Sequence, residues 1–254
     1  MRSRSLLSLV VVVVLAGCDS TAAIDPPAAP PPVLPLAVGT EWTLAATYSV
    51  SYDADGRARD TLRITPGTRS LELAITRDTV VAGERWVLIE TTRGLAHCVF
   101  DGFSWFTNRE DGLYRWRTTP EEAERVYAIG VDEGVPFFET DVVSAALVDD
   151  DASFELPTKT VAVRQYDRTW KRIEFSASVR GPIDPMPVTR DQLSSTLGPV
   201  ALEISLVSLK SGSGEDAVYR PAAVLHYELT DAAVPATAEG ARRAAETSEG
   251  IAVR

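Results

Sequence analysis

The sequence predicts an all-β protein: a mainly antiparallel sheet, built as a curved sheet, an open barrel or a sandwich, with at most one or two short helices. Two observations predict it. Apolar and polar residues alternate with a period of two in many short segments, the pattern of a strand with one wet face. Turn-forming residues separate those segments at short intervals, as in antiparallel sheets, sandwiches and barrels. A wet face on each strand disfavours a parallel α/β fold, whose strands are covered on both sides. The length of 254 residues, 45% hydrophobic, allows a single β domain with a sizeable core.

The first strand is the clearest. "EWTLAATYSVSYD" sets Trp42, Leu44, Ala46, Tyr48, Val50 and Tyr52 on one face and Thr43, Ala45, Thr47, Ser49 and Ser51 on the other. "DADG" at Asp53–Gly56 supplies a turn, and Leu62 and Ile64 share a face on the return. Pro66-Gly67 turns the chain again before Leu71, Leu73 and Ile75 alternate. Ala82-Gly83 precedes "ERWVLIETT". "FDGFSWF" and "DGLYRWRT" flank the turn "NREDG", and "ERVYAIG" follows. Alternation returns at Ile173 to Val179, at Val200 to Leu206 and at Leu225 to Leu229.

Two segments stay open. "PFFETDVVSAALVDDDASF" reads either as a short helix on Phe138, Val142 and Ala146 or as irregular strand. "GPIDPMPVTRDQLSS" begins as proline-rich loop, with a brief helix expected near Asp191 to Ser195.

The N-terminus carries an address. Arg2 and Arg4 precede an apolar run from Leu6 to Ala16, broken by Ser8, and small residues Ala16 and Gly17 lead to Cys18. This is the anatomy of a signal peptide. The run is too short to span a bilayer, which takes about 20 residues. The residues "LAGC", Leu15 to Cys18, resemble the lipobox of bacterial lipoproteins. That resemblance implies a thiol that receives a diacylglycerol, a leader cut before Cys18, and a new amino group that is acylated too. Acyl chains in that number make a stable anchor, so the expected partner of Cys18 is a membrane, in a bacterial envelope. Asp19 does not decide which membrane.

Six of the ten residues from Pro26 to Pro35 are proline, which favours an extended polyproline tether. The domain reading is therefore a signal peptide at 1–17, the lipidated cysteine and tether at 18–35, a single β domain at 36–230 and a disordered tail at 231–254. In the body, "PLAVGTEWTL", "DGLYRW" and "LGPVALEISL" resemble a loosely defined group of uncharacterised β-rich envelope lipoproteins. The resemblance implies an antiparallel β fold and no activity.

The formal charge is −11, and two units more negative without Arg2 and Arg4. Such a surface repels phosphate, so nucleic acid is not an expected partner. Arg outnumbers Lys 22 to three, and Asn108 is the sole asparagine; both read as coding bias.

Catalytic motifs are missing. There is no G-x-S-x-G, S-x-x-K, HExxH or Walker sequence, so the expectation is a protein without catalytic residues, metal or cofactor, and not an enzyme. Cys98 follows His97; with Cys18 acylated it has no partner, and it reads as a small apolar residue on a strand. Asp53, Asp55 and Asp60 lack the closing glutamate of a calcium loop and read as a hairpin turn. Asp149 to Asp151 read as a solvated loop. Trp105 and Trp116 fall on neighbouring strands within pairing distance. They are either core or the ligand-facing aromatics of a cleft. The functional reading is a lipid-anchored envelope protein with a binding or assembly domain. The alternatives are a carrier holding an apolar ligand inside a half-barrel, and an envelope hydrolase, which a cleft with convergent Asp and Glu, or a carboxylate near His97, would favour.

Overall fold

In a computed structural model, residues 30–235 are described, apart from 56, 66–67, 96, 177–178 and 214–215. The leader, Cys18, most of the tether and the tail beyond Pro235 lie outside the described residues.

Fifteen strands follow in chain order: β1 (Glu41–Tyr52), β2 (Ala58–Arg63), β3 (Ser70–Val81), β4 (Glu84–Arg93), β5 (Trp105–Arg109), β6 (Gly112–Trp116), β7 (Glu124–Ala128), β8 (Pro136–Glu139), β9 (Val143–Leu156), β10 (Lys159–Trp170), β11 (Arg172–Ser176), β12 (Val179–Pro182), β13 (Val188–Ser194), β14 (Gly198–Ser211) and β15 (Val218–Ala233). A short 3-10 turn lies at Pro120–Glu122. The fold is all-β, as the alternation predicts.

Thirteen strands make one sheet, in the order β7-β6-β5-β4-β3-β1-β15-β14-β13-β10-β9-β8, with β2 continuing beside β1 where β3 leaves it. The pairs are antiparallel, several of them hairpins closed by a short turn, while β15 returns from the far end of the described chain to pair with β1. The sheet curls until its two ends nearly meet. Side chains of β10 close the seam: Tyr166 donates its hydroxyl to the Ala128 carbonyl at 2.8 Å, and Arg168 donates to the Val126 carbonyl at 2.7 Å. The Gly134 amide donates to the Leu147 carbonyl at 2.7 Å, extending the β8–β9 pairing beyond Pro136. Of the forms expected, the open barrel is the one adopted.

The interior is filled. Trp42, Phe100, Phe106, Tyr127, Tyr166 and Tyr227 are all buried there. Part of this filling comes from a loop. Between β4 and β5 the chain dips inward, burying His97, Val99 and Phe100. The Phe100 ring lies 5.7 Å from Phe106 and 6.4 Å from Tyr127, centroid to centroid. Thr91 Oγ1 donates to the Phe100 carbonyl at 2.9 Å. Arg115 Nη1 donates to the carbonyls of Cys98 at 2.8 Å and Val99 at 3.3 Å. The loop is thus a plug, and the open half-barrel interior of the carrier reading is occupied by the protein's own side chains.

Several expectations change. The face of β1 breaks after Ala46. A bulge there shifts register, so Ala46 pairs with inward Tyr227 but Tyr48 pairs with His226. One extra residue exchanges the faces of a strand, and Tyr48 stacks on the His226 ring at 4.5 Å, away from the core. The segments open to a helical reading are strands: "PFFE" is β8, Val143–Leu156 is β9, and Asp191 lies within β13. Pairing with β10 on both sides overrides the weak local helical signal. Cys98 lies on the plug loop, not on a strand.

The tether boundary also moves. Val33 and Leu34 are buried in the main core. Asn108 clamps them: its Oδ1 accepts from the amides of Val33 at 3.1 Å and Leu34 at 3.4 Å, and its Nδ2 donates to the Leu34 carbonyl at 2.8 Å. The sole asparagine therefore has a structural task. At the other end β15 runs to Ala233, which pairs with Glu41, so the domain extends past residue 230.

The hairpin β11–β12 is an excursion between β10 and β13 and forms its own two-stranded sheet. A satellite core of Ile183, Ala217 and Tyr219, with Trp170, Ile173 and Val207 against it, seats the hairpin on the outer reaches of β14 and β15.

Candidate functional site

The alternation of β13 turns Thr189, Asp191 and Leu193 inward. Asp191 is thereby a carboxylate with no exposed surface, which is tolerable only when fully paired. Three donors reach it. His97 lies 3.0 Å from Oδ1 through Nε2, the Tyr127 hydroxyl donates to Oδ2 at 2.7 Å, and Arg168 Nε donates to Oδ2 at 3.2 Å. The Arg168 guanidinium also lies 4.7 Å from the centre of the Tyr127 ring. Burial pushes the Asp191 carboxyl up, but His97, Arg168 and Tyr127 outweigh it and bring its pKa to about 2. Burial, joined by the Asp191 charge, raises the Tyr127 phenol far above its ordinary value.

Cys98 completes the cluster from the cleft side. The residue is half-buried, and its sulfur stands 3.8 Å from His97 Nε2 and 3.9 Å from Nδ1. Burial raises the thiol and His97 lowers it, with the balance downward. Burial lowers the His97 imidazole, Cys98 and Asp191 raise it, and the balance is upward.

Cysteine, histidine and aspartate are the residue types of covalent acyl transfer, so their geometry matters. A general base must offer a free lone pair to the nucleophile's proton. Nε2 is committed to Asp191. Nδ1 faces the Val99 amide, which donates to it at 3.3 Å; if protonated instead, it has no lone pair. The near-equal sulfur distances place Sγ in line with neither nitrogen. As it stands, the cluster ties the plug loop to β13 and β7.

Beside it opens a cleft of about 410 Å³. Cys98 forms part of its lining; Val142, Trp170, Ile173, Ile204 and Val207 supply much of the apolar wall. Trp170 is held in place by its Nε1, which donates to Thr189 Oγ1 at 3.1 Å. The volume falls within the range of small-molecule sites, roughly 300–1,000 Å³.

Other sequence candidates lie elsewhere. Trp105 and Trp116 are direct cross-strand partners, their rings stacked at 5.7 Å. They share the outer face with Trp86, which meets Trp116 edge-on at 6.0 Å, and the Arg77 guanidinium sits 5.6 Å over Trp105. Neither tryptophan lines the cleft or joins the main core. Asp53 Oδ1 accepts from the amides of Asp55 and Arg57, a turn as expected. Asp150 pairs with Arg164 at 2.7 Å. His226 sits between Glu203 and Glu228, 3.3 Å from each. Among the described residues no group of three or more His, Cys, Asp and Glu is placed to hold a metal.

Asp191, Arg168 and Tyr127 were not legible as a site. The one available signal was a charge at the apolar phase of a strand, and the segment's apparent helical character hid that phase.

No protein-family model and no curated protein matches the sequence. Among solved structures, a Parabacteroides distasonis protein described as a "putative lipoprotein" aligns with 79% of this chain and 98% of its own, at 11% identity and a TM-score of 0.29.

Proposed function

We propose that the chain is a lipid-anchored bacterial envelope protein, held to a membrane through acylated Cys18, whose β domain binds a small apolar molecule without transforming it. The cleft carries the binding half of this reading. It is concave, of ligand size, and walled by Trp170, Ile173, Ile204 and Val207, the combination that marks small-molecule sites. The resemblance of Leu15–Cys18 to a lipobox supports the anchor. The carrier alternative survives in altered form, with ligand in the cleft and not in the barrel interior. The hydrolase reading gains a carboxylate beside His97, but the engaged ring nitrogens favour binding.

The test uses a neutral apolar dye, N-phenyl-1-naphthylamine, titrated into the full chain and followed by fluorescence. Saturable binding that is removed by Leu206→Arg, a change at an exposed residue of the lining, with thermal unfolding unchanged, is the expected result. Undiminished binding in that variant, or none in the parent, overturns the assignment.

A further inference from the structure

We propose that the anchored barrel stands with its tether end over the lipid surface and its cleft at the opposite end, the cleft mouth open to water. The inference rests on the anchor at Cys18, as above; it concerns where the cleft lies, whatever fills it.

The strand registers define the two ends of the barrel. β1 begins at Glu41 opposite Ala233, the last residue of β15. The buried Trp42 indole donates to the carbonyl of Leu197, in the turn from β13 to β14. Pro157 and Thr158, the turn from β9 to β10, share a surface hollow with Leu197 and with Leu229 to Ala232. These turns surround one mouth.

The tether leaves through that mouth. Val33 and Leu34 are buried in the main core and held by Asn108, one residue before the end of β5. Arg164 Nη1 donates to the carbonyls of Pro31 at 3.4 Å and Pro32 at 3.3 Å. Pro30, Pro31 and Pro32 are exposed, so the chain runs outward from there toward Cys18.

The cleft belongs to the other end. Alternating antiparallel pairing makes β10 and β14 both run away from the tether mouth. The β14 part of the lining starts at Glu203, five residues beyond Gly198, and continues to Val207. Trp170 is the last residue of β10, and Val142 lies in the turn between β8 and β9. Ile173 and Ile183 come from the β11–β12 excursion beyond Trp170.

Length then selects the stance. Eleven residues, 19–29, separate Cys18 from Pro30. At no more than about 3.6 Å per residue they reach roughly 40 Å. β14, with 14 residues, is about 45 Å long at about 3.4 Å per residue. Its axial height is about 35 Å if the strands tilt by roughly 40°, as barrel strands do. To bring the cleft to the bilayer, the tether would have to cross the rim of its own mouth and then run the height of the wall. That takes essentially all of its reach. A chain pulled taut forfeits its conformational entropy, and the upright stance does not require it.

The experiment uses the mature acylated chain in phosphatidylcholine vesicles that contain a rhodamine-labelled lipid. A donor fluorophore is attached at Thr158→Cys on the tether end, or at Phe103→Cys in the loop between β4 and β5 on the cleft end. Each is made in a Cys98→Ser background, so that a single thiol reacts. Both positions are exposed, Phe103 by 80%. Energy transfer to the lipid should be several-fold stronger from residue 158 than from residue 103. Equal transfer, or stronger transfer from residue 103, overturns the stance. Lengthening the tether about threefold with Gly and Ser after Ala29 should bring the two signals together, because a flexible chain of that length no longer restrains the domain. A difference that survives undiminished would overturn the role given to the tether. Failure of the chain to sediment with the vesicles would overturn the anchor, and this inference with it. Binding of N-phenyl-1-naphthylamine is read in solution, so the cleft reading stands or falls separately.

Discussion

His97 Nε2 and Asp191 Oδ1 lie 3.0 Å apart although 94 residues separate them in the chain. That contact joins the plug loop to β13 inside a barrel where neither group meets water. It makes Asp191 the point on which the interior is fastened.

Replacing Asp191 by Ala leaves Arg168 a buried charge without its carboxylate. Losing one partner of a buried pair costs about 3–5 kcal/mol. Urea unfolding should show a loss of that order; a change below about 1 kcal/mol would mean that water or a neighbour takes over.

Acid should act through the same carboxylate. Its pKa is depressed to about 2, so its stabilising contribution is complete above the unfolded-state value near 3.9. It is lost as pH falls through about 2. The contribution is on the order of 2 kcal/mol. Unfolding midpoints measured between about pH 5 and pH 2 should decline in the parent and decline less in Asp191→Asn.

The start of the domain should be found at Val33, not at residue 36. Deleting residues 19–29 should leave thermal unfolding unchanged, whereas Leu34→Ala should cost about 2–5 kcal/mol. Asn108→Ala should destabilise too, because it frees the two amides and the carbonyl that it clamps. Equal stability in Leu34→Ala would return residues 33–35 to the tether.

Gly198 has φ +96°, and a Cβ there would run into the buried Trp42 indole. That indole donates to the Leu197 carbonyl, so it has little room to retreat. Gly198→Ala should cost about 2 kcal/mol or more from overpacking and left-handed backbone strain. A near-neutral result in chemical denaturation would show that the turn rearranges.

The anchor has its own test. Cys18→Ser should abolish metabolic labelling with a radioactive fatty acid and leave the precursor uncut. Normal processing of that variant would refute lipidation.

The outer-face tryptophans should be separable from the cleft. Trp116→Ala removes the Trp105 stack and the edge contact to Trp86, a loss of about 1 kcal/mol from the pair beyond buried area. Dye affinity should not move. A drop in affinity without a drop in stability would place the ligand at Trp105 and Trp116 after all.

The sequence by itself determined the strand class. Alternation is a local property, set by the two faces of a pleated chain, and it is readable wherever four or more residues keep phase. It also carried the pairing of Trp105 with Trp116, because a short hairpin fixes register within a few residues. It failed at Tyr48, where a single bulge residue inverted the faces, and at Asp191, where cross-strand pairing outweighed local preference. Curling of the sheet decided the rest. It brought β10 to β7, drew the plug loop inward, and set Asp191 beside His97. Such contacts depend on barrel closure, a sum of twists over a dozen strands that no local pattern encodes. The cleft arises likewise, where the β11–β12 hairpin settles on β14.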